Sequence, residues 1–138
     1  MRTFEKDTDL VVEGRAIKTF VRVFGGSFKK LDQFDVDYRV FDKDGNLIAY
    51  AEVKGRNKLM SDAYPLPIAV RKISKLMDKR LNPVVIWDCI DGIIYGKLQD
   101  LVGEVRYGGR SPREGSVNDE ELMVYYPKQK ALKYIKFI

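Results

Sequence analysis

Two runs of alternating apolar and polar residues lie on either side of the dipeptide Asp44-Gly45. In residues 34–40 every second side chain is apolar, and in residues 46–54 the side chains separate into two sets in the same way. Alternation with a period of two is typical of β-strands, and an Asp-Gly dipeptide between two such runs indicates a hairpin. The sequence therefore predicts a pair of antiparallel strands and a fold built on a β-sheet.

Apolar spacing elsewhere predicts two helices and one buried strand. The first helix is expected over residues 7–24, where apolar residues recur every three or four positions until Gly25-Gly26. The second is expected over residues 67–81, with Pro67 in its first turn. Residues 83–87 are continuously apolar, as expected for a central strand that is covered on both faces.

The remaining segments are assigned from alternation and turn residues. Short strands are expected at residues 27–31, 93–98, 122–126 and 131–138. Residues 55–65 are expected to form a loop, and residues 103–121, rich in Gly, Ser, Arg and Glu, a mobile loop. The chain is thus expected to be one domain over residues 1–138, with a core at about 7–98 and C-terminal strands at 122–138.

The composition excludes several kinds of enzyme. The chain has no histidine, which rules out histidine-containing triads, histidine metal ligands and histidine general bases. Its single cysteine, Cys89, excludes an internal disulfide and a thiolate zinc site. Any catalysis would depend on carboxylates, lysine, tyrosine or a hard metal ion bound by oxygen. No apolar stretch is long enough to span a bilayer, so we expect a soluble, cytoplasmic protein without a membrane partner.

The predicted hairpin brings two carboxylates together. If Asp44-Gly45 forms a two-residue loop, Lys43 faces Asn46 and, further along the strands, Asp37 faces Glu52. Side chains in such positions have Cβ atoms about 4.5–5.5 Å apart, and like charges there destabilise a sheet. The sequence therefore requires something that compensates this repulsion.

Two explanations of the carboxylate pair remain open at this point. A divalent cation between Asp37 and Glu52 would turn the repulsion into ligation. Alternatively, Lys54 and Arg39 neutralise an exposed pair without any metal. Asp35 points to the same side of the strand as Asp37, so it is a rival for the role of the aspartate.

Basic residues are concentrated between Lys54 and Arg80. This segment contains eight basic and two acidic residues, an excess that is larger than the net charge of +5 of the whole chain. On the second predicted helix, Arg71, Lys72, Lys75 and Lys79 are spaced so that they share one face. Such a face either binds a polyanion, such as a nucleic acid, or is a solvated surface.

The combination of these features resembles the PD-(D/E)XK nuclease superfamily. The motif consists of Asp37, a gap of 14 residues and then Glu52-Val53-Lys54. It lies in a predicted order of helix, strand, strand, strand, helix and strand, so the resemblance covers about two thirds of the chain. Val36 replaces the proline of the motif. The resemblance implies an α/β fold with a restriction-endonuclease-like core, in which a mixed central β-sheet is flanked by two α-helices, with extra C-terminal strands.

The resemblance also implies roles for individual residues. Asp37, Glu52 and the backbone carbonyl of Val53 would bind Mg²⁺ or Mn²⁺, and Lys54 would orient or deprotonate the attacking water. In many members a glutamate on the first helix completes the catalytic site, and here the candidate is Glu13. The residues expected to contact the nucleic acid are Arg56, Lys58, Lys72, Lys75 and Lys79.

The expected function is that of a metal-dependent nuclease that hydrolyses phosphodiester bonds of DNA. By analogy, it would be selective for DNA structure, like a junction resolvase or a small phage-type recombination or repair nuclease. One alternative is a non-catalytic nucleic-acid-binding module that uses residues 54–80. Another is an interaction protein whose strands at residues 122–138 pair with a second copy. A homodimer is among the expected partners. The sequence leaves open whether the substrate is DNA or RNA.

Overall fold

The chain alternates between short strands and two helices. The structure is a computed structural model that describes residues 7–24, 26–31, 36–108 and 121–138, and the side chains of these residues except 7–13 and 24. In chain order the elements are α1 (Asp7–Phe24), β1 (Ser27–Lys30), β2 (Tyr38–Phe41), β3 (Leu47–Gly55), β4 (Leu66–Ala69), α2 (Val70–Asp78), β5 (Pro83–Asp88), β6 (Gly92–Lys97), β7 (Glu104–Gly108), β8 (Glu121–Tyr126) and β9 (Lys133–Lys136). Neither described helix combines the length and the apolar character that crossing a bilayer requires.

The strands of the described residues form two sheets. The larger sheet has six strands in the order β1-β2-β3-β5-β6-β9, and the smaller has three in the order β4-β8-β7. β3 and β5 run parallel, whereas every other neighbouring pair is antiparallel. The crossover from β3 to β5 contains β4 and α2, so the second helix is tied to the centre of the larger sheet.

Helix α1 covers one face of the six-stranded sheet. Its apolar residues recur at helical spacing, so Ile17 and Phe20 project from the same side. They belong to the same buried cluster as Ala51 of β3 and Ile86 of β5. This packing explains why the middle of the chain contains small and β-branched residues on this face.

The opposite face is covered by α2 and the three-stranded sheet. Trp87 of β5 is fully buried between these layers. Its Nε1 donates a hydrogen bond of 2.8 Å to the carbonyl oxygen of Pro67, and its ring meets that of Tyr126 edge-on at 5.9 Å. Trp87 therefore joins the two sheets. The prediction of a mixed α/β fold with a sheet core and two helices is confirmed, and strands β8 and β9 lie where C-terminal strands were expected.

The prediction of a second helix over residues 67–81 is wrong for its first three residues. Residues 66–69 form strand β4, and α2 begins at Val70 and ends at Asp78. The reason lies in Leu66 and Ile68, which alternate with Pro67 and pair with β8. The backbone hydrogen bonds and buried area that β8 provides outweigh the local preference of proline for a first helical turn.

The prediction of a loop over residues 103–121 is wrong for residues 104–108, which form β7 and pair with β8. Gly103 and Gly108, which indicated a loop, are instead positions where side chains of β8 need space. A Cβ atom at Gly103 would collide with the ring of Tyr126, and one at Gly108 would collide with Tyr125. Residues 109–120 of the predicted mobile loop lie outside the described residues.

The hairpin between β2 and β3 has a longer turn than predicted. Asp42 N–H donates to the carbonyl oxygen of Asn46 at 2.9 Å, so three residues form the turn. Gly45 has a φ of 83°, which favours glycine. One residue further into β3, the register shifts by a bulge, because Phe41 faces Leu47 while Val40 faces Ala49. The extra turn residue and the bulge compensate each other, which restores the predicted pairing beyond this point.

Candidate active site

Asp37 and Glu52 lie side by side, as the predicted register requires. Tyr38 pairs with Ala51, which places Asp37, immediately before β2, next to Glu52 on β3. The Asp37 N–H donates a hydrogen bond of 3.1 Å to Glu52 Oε2, and the Val53 N–H donates one of 2.8 Å to Asp37 Oδ2. The backbone N–H of Asp37 therefore orients the Glu52 carboxylate, and the backbone N–H of Val53, the residue after Glu52, orients the Asp37 carboxylate.

Glu52 is almost completely buried, with 4% of its surface exposed. Its Oε1 lies 3.1 Å from Nζ of Lys72, which belongs to α2 and has 30% of its side chain exposed. Removing a carboxylate from water is costly unless a charge partner and hydrogen bonds compensate for it. Lys72 and the Asp37 N–H provide this compensation for the isolated protein.

The pair opens into a cleft of about 460 Å³, which we call the Glu52 cleft. Lys54 lies on the same side of β3 as Glu52, is exposed, and forms no ion pair with any described residue. The far wall contains an ion pair between Arg71 of α2 and Glu121 of β8, with 2.9 Å between Nε and Oε2. The cleft therefore combines four carboxylates, those of Asp37, Glu52, Asp88 and Glu121, with two lysines and an arginine.

The oxygen atoms in the cleft fit a hard divalent cation. The described residues contain no group of three or more acidic, cysteine or histidine side chains that could hold a metal ion. The groups at this position that could hold a metal are the carboxylates of Asp37 and Glu52 and the carbonyl of Val53. Oxygen ligands of this number suit Mg²⁺ or Mn²⁺, which retain several waters in protein sites.

Two further acidic candidates lie outside what the structure describes. The backbone of Glu13 belongs to α1, but its side chain is not among the described ones, and Asp35 lies in an undescribed segment. The role of Glu13 in the catalytic site and the rivalry between Asp35 and Asp37 stay predictions.

The predicted nucleic-acid-binding lysines of the second helix occupy different environments. Lys72 contacts Glu52 inside the cleft, whereas Lys75 is exposed on the surface of α2. Lys79 follows the helix, and its Nζ lies 5.4 Å from the centre of the Tyr50 ring. The structure thus brings one of these three lysines into contact with the carboxylates.

The two predicted contact residues after β3 also differ. Arg56 donates from Nε to the carbonyl oxygen of Ala63 at 2.9 Å and from Nη2 to that of Pro65 at 3.5 Å. These bonds attach its guanidinium to the loop before β4, which is a structural contact. Lys58 is exposed.

An ion pair that the sequence did not predict lies at the border of the cleft, between the buried Asp88 and the partly exposed Arg15. Asp88 ends β5, lies next to Gly55 of β3, and has 5% of its surface exposed. Its Oδ1 accepts a hydrogen bond of 2.9 Å from Nη2 of Arg15 on α1. Burial raises the pKa of the Asp88 carboxyl, and the hydrogen bond and charge of Arg15 act in the opposite direction. The only local signal was an aspartate at the end of an apolar run, since Arg15 lies far away in the sequence.

Comparison with known protein families identifies the family of this chain. A family model described as "Phage putative PDDEXK endonuclease" matches residues 1–133. Searches of curated proteins and of solved structures gave no significant match.

Proposed function

Because this chain belongs to the phage PD-(D/E)XK endonuclease family, we propose that it is a metal-dependent nuclease that hydrolyses DNA phosphodiester bonds in the Glu52 cleft. The observation that carries the proposal is the contact between Asp37 and Glu52, with 3.1 Å between the backbone nitrogen of the first and Oε2 of the second. This contact lies in a cleft that also contains Lys54 and Lys72.

The residues of the cleft have separate tasks in this proposal. Asp37, Glu52 and the carbonyl of Val53 would hold Mg²⁺ or Mn²⁺, which supplies charge stabilisation at the phosphate and a lower pKa for the attacking water. The ammonium group of Lys54 orients that water and balances the negative charge that develops on the phosphate oxygens. Lys72 holds the Glu52 carboxylate in position before substrate arrives.

The order of elements supports a restriction-endonuclease-like core. The chain runs from α1 through three antiparallel strands, of which β3 carries Glu52 and Lys54, and then through α2 to the parallel strand β5. Contacts between the basic residues of α2 and phosphates would report the shape of a nucleic acid more than its sequence. We therefore propose selectivity for DNA structure, such as a junction, a flap or an end.

The test is a cleavage assay on labelled duplex, single-stranded, flapped and four-way-junction DNA, with RNA versions of the same strands. We expect cleavage in Mg²⁺ or Mn²⁺, none in a chelator, and none in Lys54→Met. The matched control is Lys43→Met, which removes the same charge from the exposed hairpin turn. A four-way junction has two-fold symmetry, so the mass of its complex also reports whether two copies bind.

Two results would contradict the proposal. Full cleavage by both Lys54→Met and Glu52→Gln would place the chemistry elsewhere. Metal-independent DNA binding without cleavage of any substrate would favour the non-catalytic module that uses residues 54–80.

A further inference from the structure

Gly55 lies on the border between two depressions of the surface. One is the Glu52 cleft, on the side of α2. The other, which we call the Arg15 groove, has a volume of about 420 Å³ and is lined by residues that include Arg15, Asn57 and Ile90. Gly55 and Asp88 line both depressions and are neighbours in the parallel pair of β3 and β5. The cleft and the groove therefore meet over the end of this strand pair.

No side chain separates the Glu52 cleft from the Arg15 groove at residue 55, because this residue is a glycine. A Cβ atom built on Gly55 would meet no other atom within 4 Å, so the space above this backbone is open. Packing inside the protein thus gives no reason for a glycine here, and its φ is not in the left-handed region. The absence of a side chain at residue 55 leaves an open passage. It leads from Lys54, the preceding residue, towards Arg15 on α1.

Arg15 is already ordered at the far end of this passage. Its Nη2 donates to Asp88 Oδ1 at 2.9 Å and to the carbonyl oxygen of Cys89 at 3.4 Å. Its guanidinium carbon lies 4.0 Å from the centre of the Phe137 ring, while 40% of the side chain remains exposed. Hydrogen bonds from Nη2 and the Phe137 ring already hold this planar guanidinium in place. It therefore loses little conformational entropy when it binds an anion. Arginine is the residue best suited to a phosphate in such a position.

We propose that a nucleic-acid strand in the Glu52 cleft continues across Gly55, and that Arg15 binds a phosphate of this same strand in the Arg15 groove. Neighbouring strands of a sheet are about 4.8 Å apart, so Arg15, bound to the strand next to Lys54, is within reach of a phosphate close to the scissile one. The inference rests on the proposed function, because it describes the path of the nucleic acid that the Glu52 cleft would bind. Asp88 acts here as a positioning residue for Arg15.

The first experiment measures DNA binding as a function of salt concentration. The probe is a labelled 30-base-pair duplex, and Ca²⁺ replaces Mg²⁺ so that the DNA is not cut. Removing Arg15 alone would leave Asp88 buried without its partner, so the comparison is between Asp88→Asn and the double variant Arg15→Gln/Asp88→Asn. We expect the double variant to have a shallower slope of log affinity against log salt by about 0.9, the value for one lost phosphate contact.

The matched control is Arg22→Gln, which removes the same charge from an exposed position two turns further along α1. It should leave the slope unchanged. Equal slopes for Asp88→Asn and the double variant would overturn the proposal.

The second experiment closes the passage without removing a charge. Gly55→Ala adds a Cβ atom that meets no other atom within 4 Å, and Gly55→Val extends the side chain from there, so we expect the melting temperature and the affinity for Mn²⁺ to stay as in the wild type. DNA affinity should fall progressively from glycine to alanine to valine. Wild-type DNA affinity in Gly55→Val would overturn the passage even if the double variant failed to fold.

The two levels of inference fail in different ways. If the wild-type protein neither binds nor cleaves DNA, the proposed function and the passage are both wrong. If it cleaves DNA but Gly55→Val binds like the wild type, only the passage is wrong.

Discussion

Glu52 is a charged side chain in a position where charge is unfavourable. It is 4% exposed, lies against the backbone of Asp37, and has Lys72 as its cationic partner. A buried ion pair of this kind contributes little net stability compared with apolar residues of similar volume. The proposed function gives this position a role, since Glu52 is one of the proposed metal ligands. Lys72 and a divalent cation would then be alternative charge partners for one carboxylate.

The competition at Glu52 predicts the effect of Lys72→Met. We expect the variant to bind Mn²⁺ more tightly, because the cation no longer displaces an ammonium group. Without metal it should be less stable by about 1–3 kcal/mol, less than for a fully buried pair because Lys72 is partly exposed. Titration calorimetry and urea unfolding measure the two effects. Lys75→Met, which removes an exposed charge from the same helix, should change neither, and the idea fails if the two variants behave alike.

Cys89 provides a prediction about pH. Burial, followed by the nearby charges of Asp91 and Asp88, raises the pKa of its thiol from 9.0 to about 11. A raised thiol pKa disfavours the thiolate, so at pH 8 the reactive fraction is about 100-fold smaller than in an unperturbed cysteine. A colorimetric thiol reagent should therefore label the native protein far more slowly than the urea-unfolded chain. Equal labelling rates at pH 8 would contradict this environment for Cys89.

At the scale of elements, the pattern of apolar and polar residues predicted those parts of the fold in which neighbouring segments of the chain contact each other. The hairpin of β2 and β3 is one example, because its strands are adjacent in sequence and their alternation determines which side chains share a face. Strand β4 was missed because its partner, β8, is remote in sequence, whereas β7 was missed because glycines flank and end it. Gly103 and Gly108 look like loop residues until the tyrosines of β8 that pack over them are known.

The contact between the two sheets predicts the effect of Trp87→Phe. The change removes the hydrogen bond to the Pro67 carbonyl and leaves a small void between the layers. We expect a loss of about 1–3 kcal/mol in the free energy of unfolding, measured by circular dichroism in urea. The control is Tyr134→Phe, at a side chain that is 66% exposed, which should unfold like the wild type. An unchanged midpoint for Trp87→Phe would mean that this contact does not hold the sheets together.

At the scale of the whole molecule, the site is assembled from segments that differ in how far apart they lie in the sequence. Asp37, Glu52 and Lys54 come from one hairpin, so the motif and register sufficed to predict their proximity. Lys72 comes from the crossover, where a basic helix was predicted but its contact with Glu52 was not. The pair of Arg15 and Asp88 is separated by 73 positions, and only the folded chain reveals it.

Binding of a metal should stabilise the whole fold. A cation that binds only the native protein adds about 2.7 kcal/mol when its concentration is a hundred times its Kd, which corresponds to roughly 10 °C in Tm for a chain of this size. We expect Mn²⁺ to raise the Tm of the wild type, as measured by differential scanning calorimetry. Asp37→Asn should fold but lose this increase, because the substitution keeps the shape and removes a charged ligand. Asp62→Asn, at an exposed position, should retain it, and an equal increase in Asp37→Asn would remove that residue from the site.

The bulge in β3 has a consequence for how this family can vary in evolution. One extra residue in the turn and one in the bulge together keep Asp37 opposite Glu52. A descendant that lost both residues would have a shorter gap between its aspartate and its E-x-K sequence, yet the same side chains would meet. The gap of 14 residues is therefore a property of the turn rather than of the chemistry. Searches that demand a constant spacing will overlook relatives whose hairpins made this paired deletion.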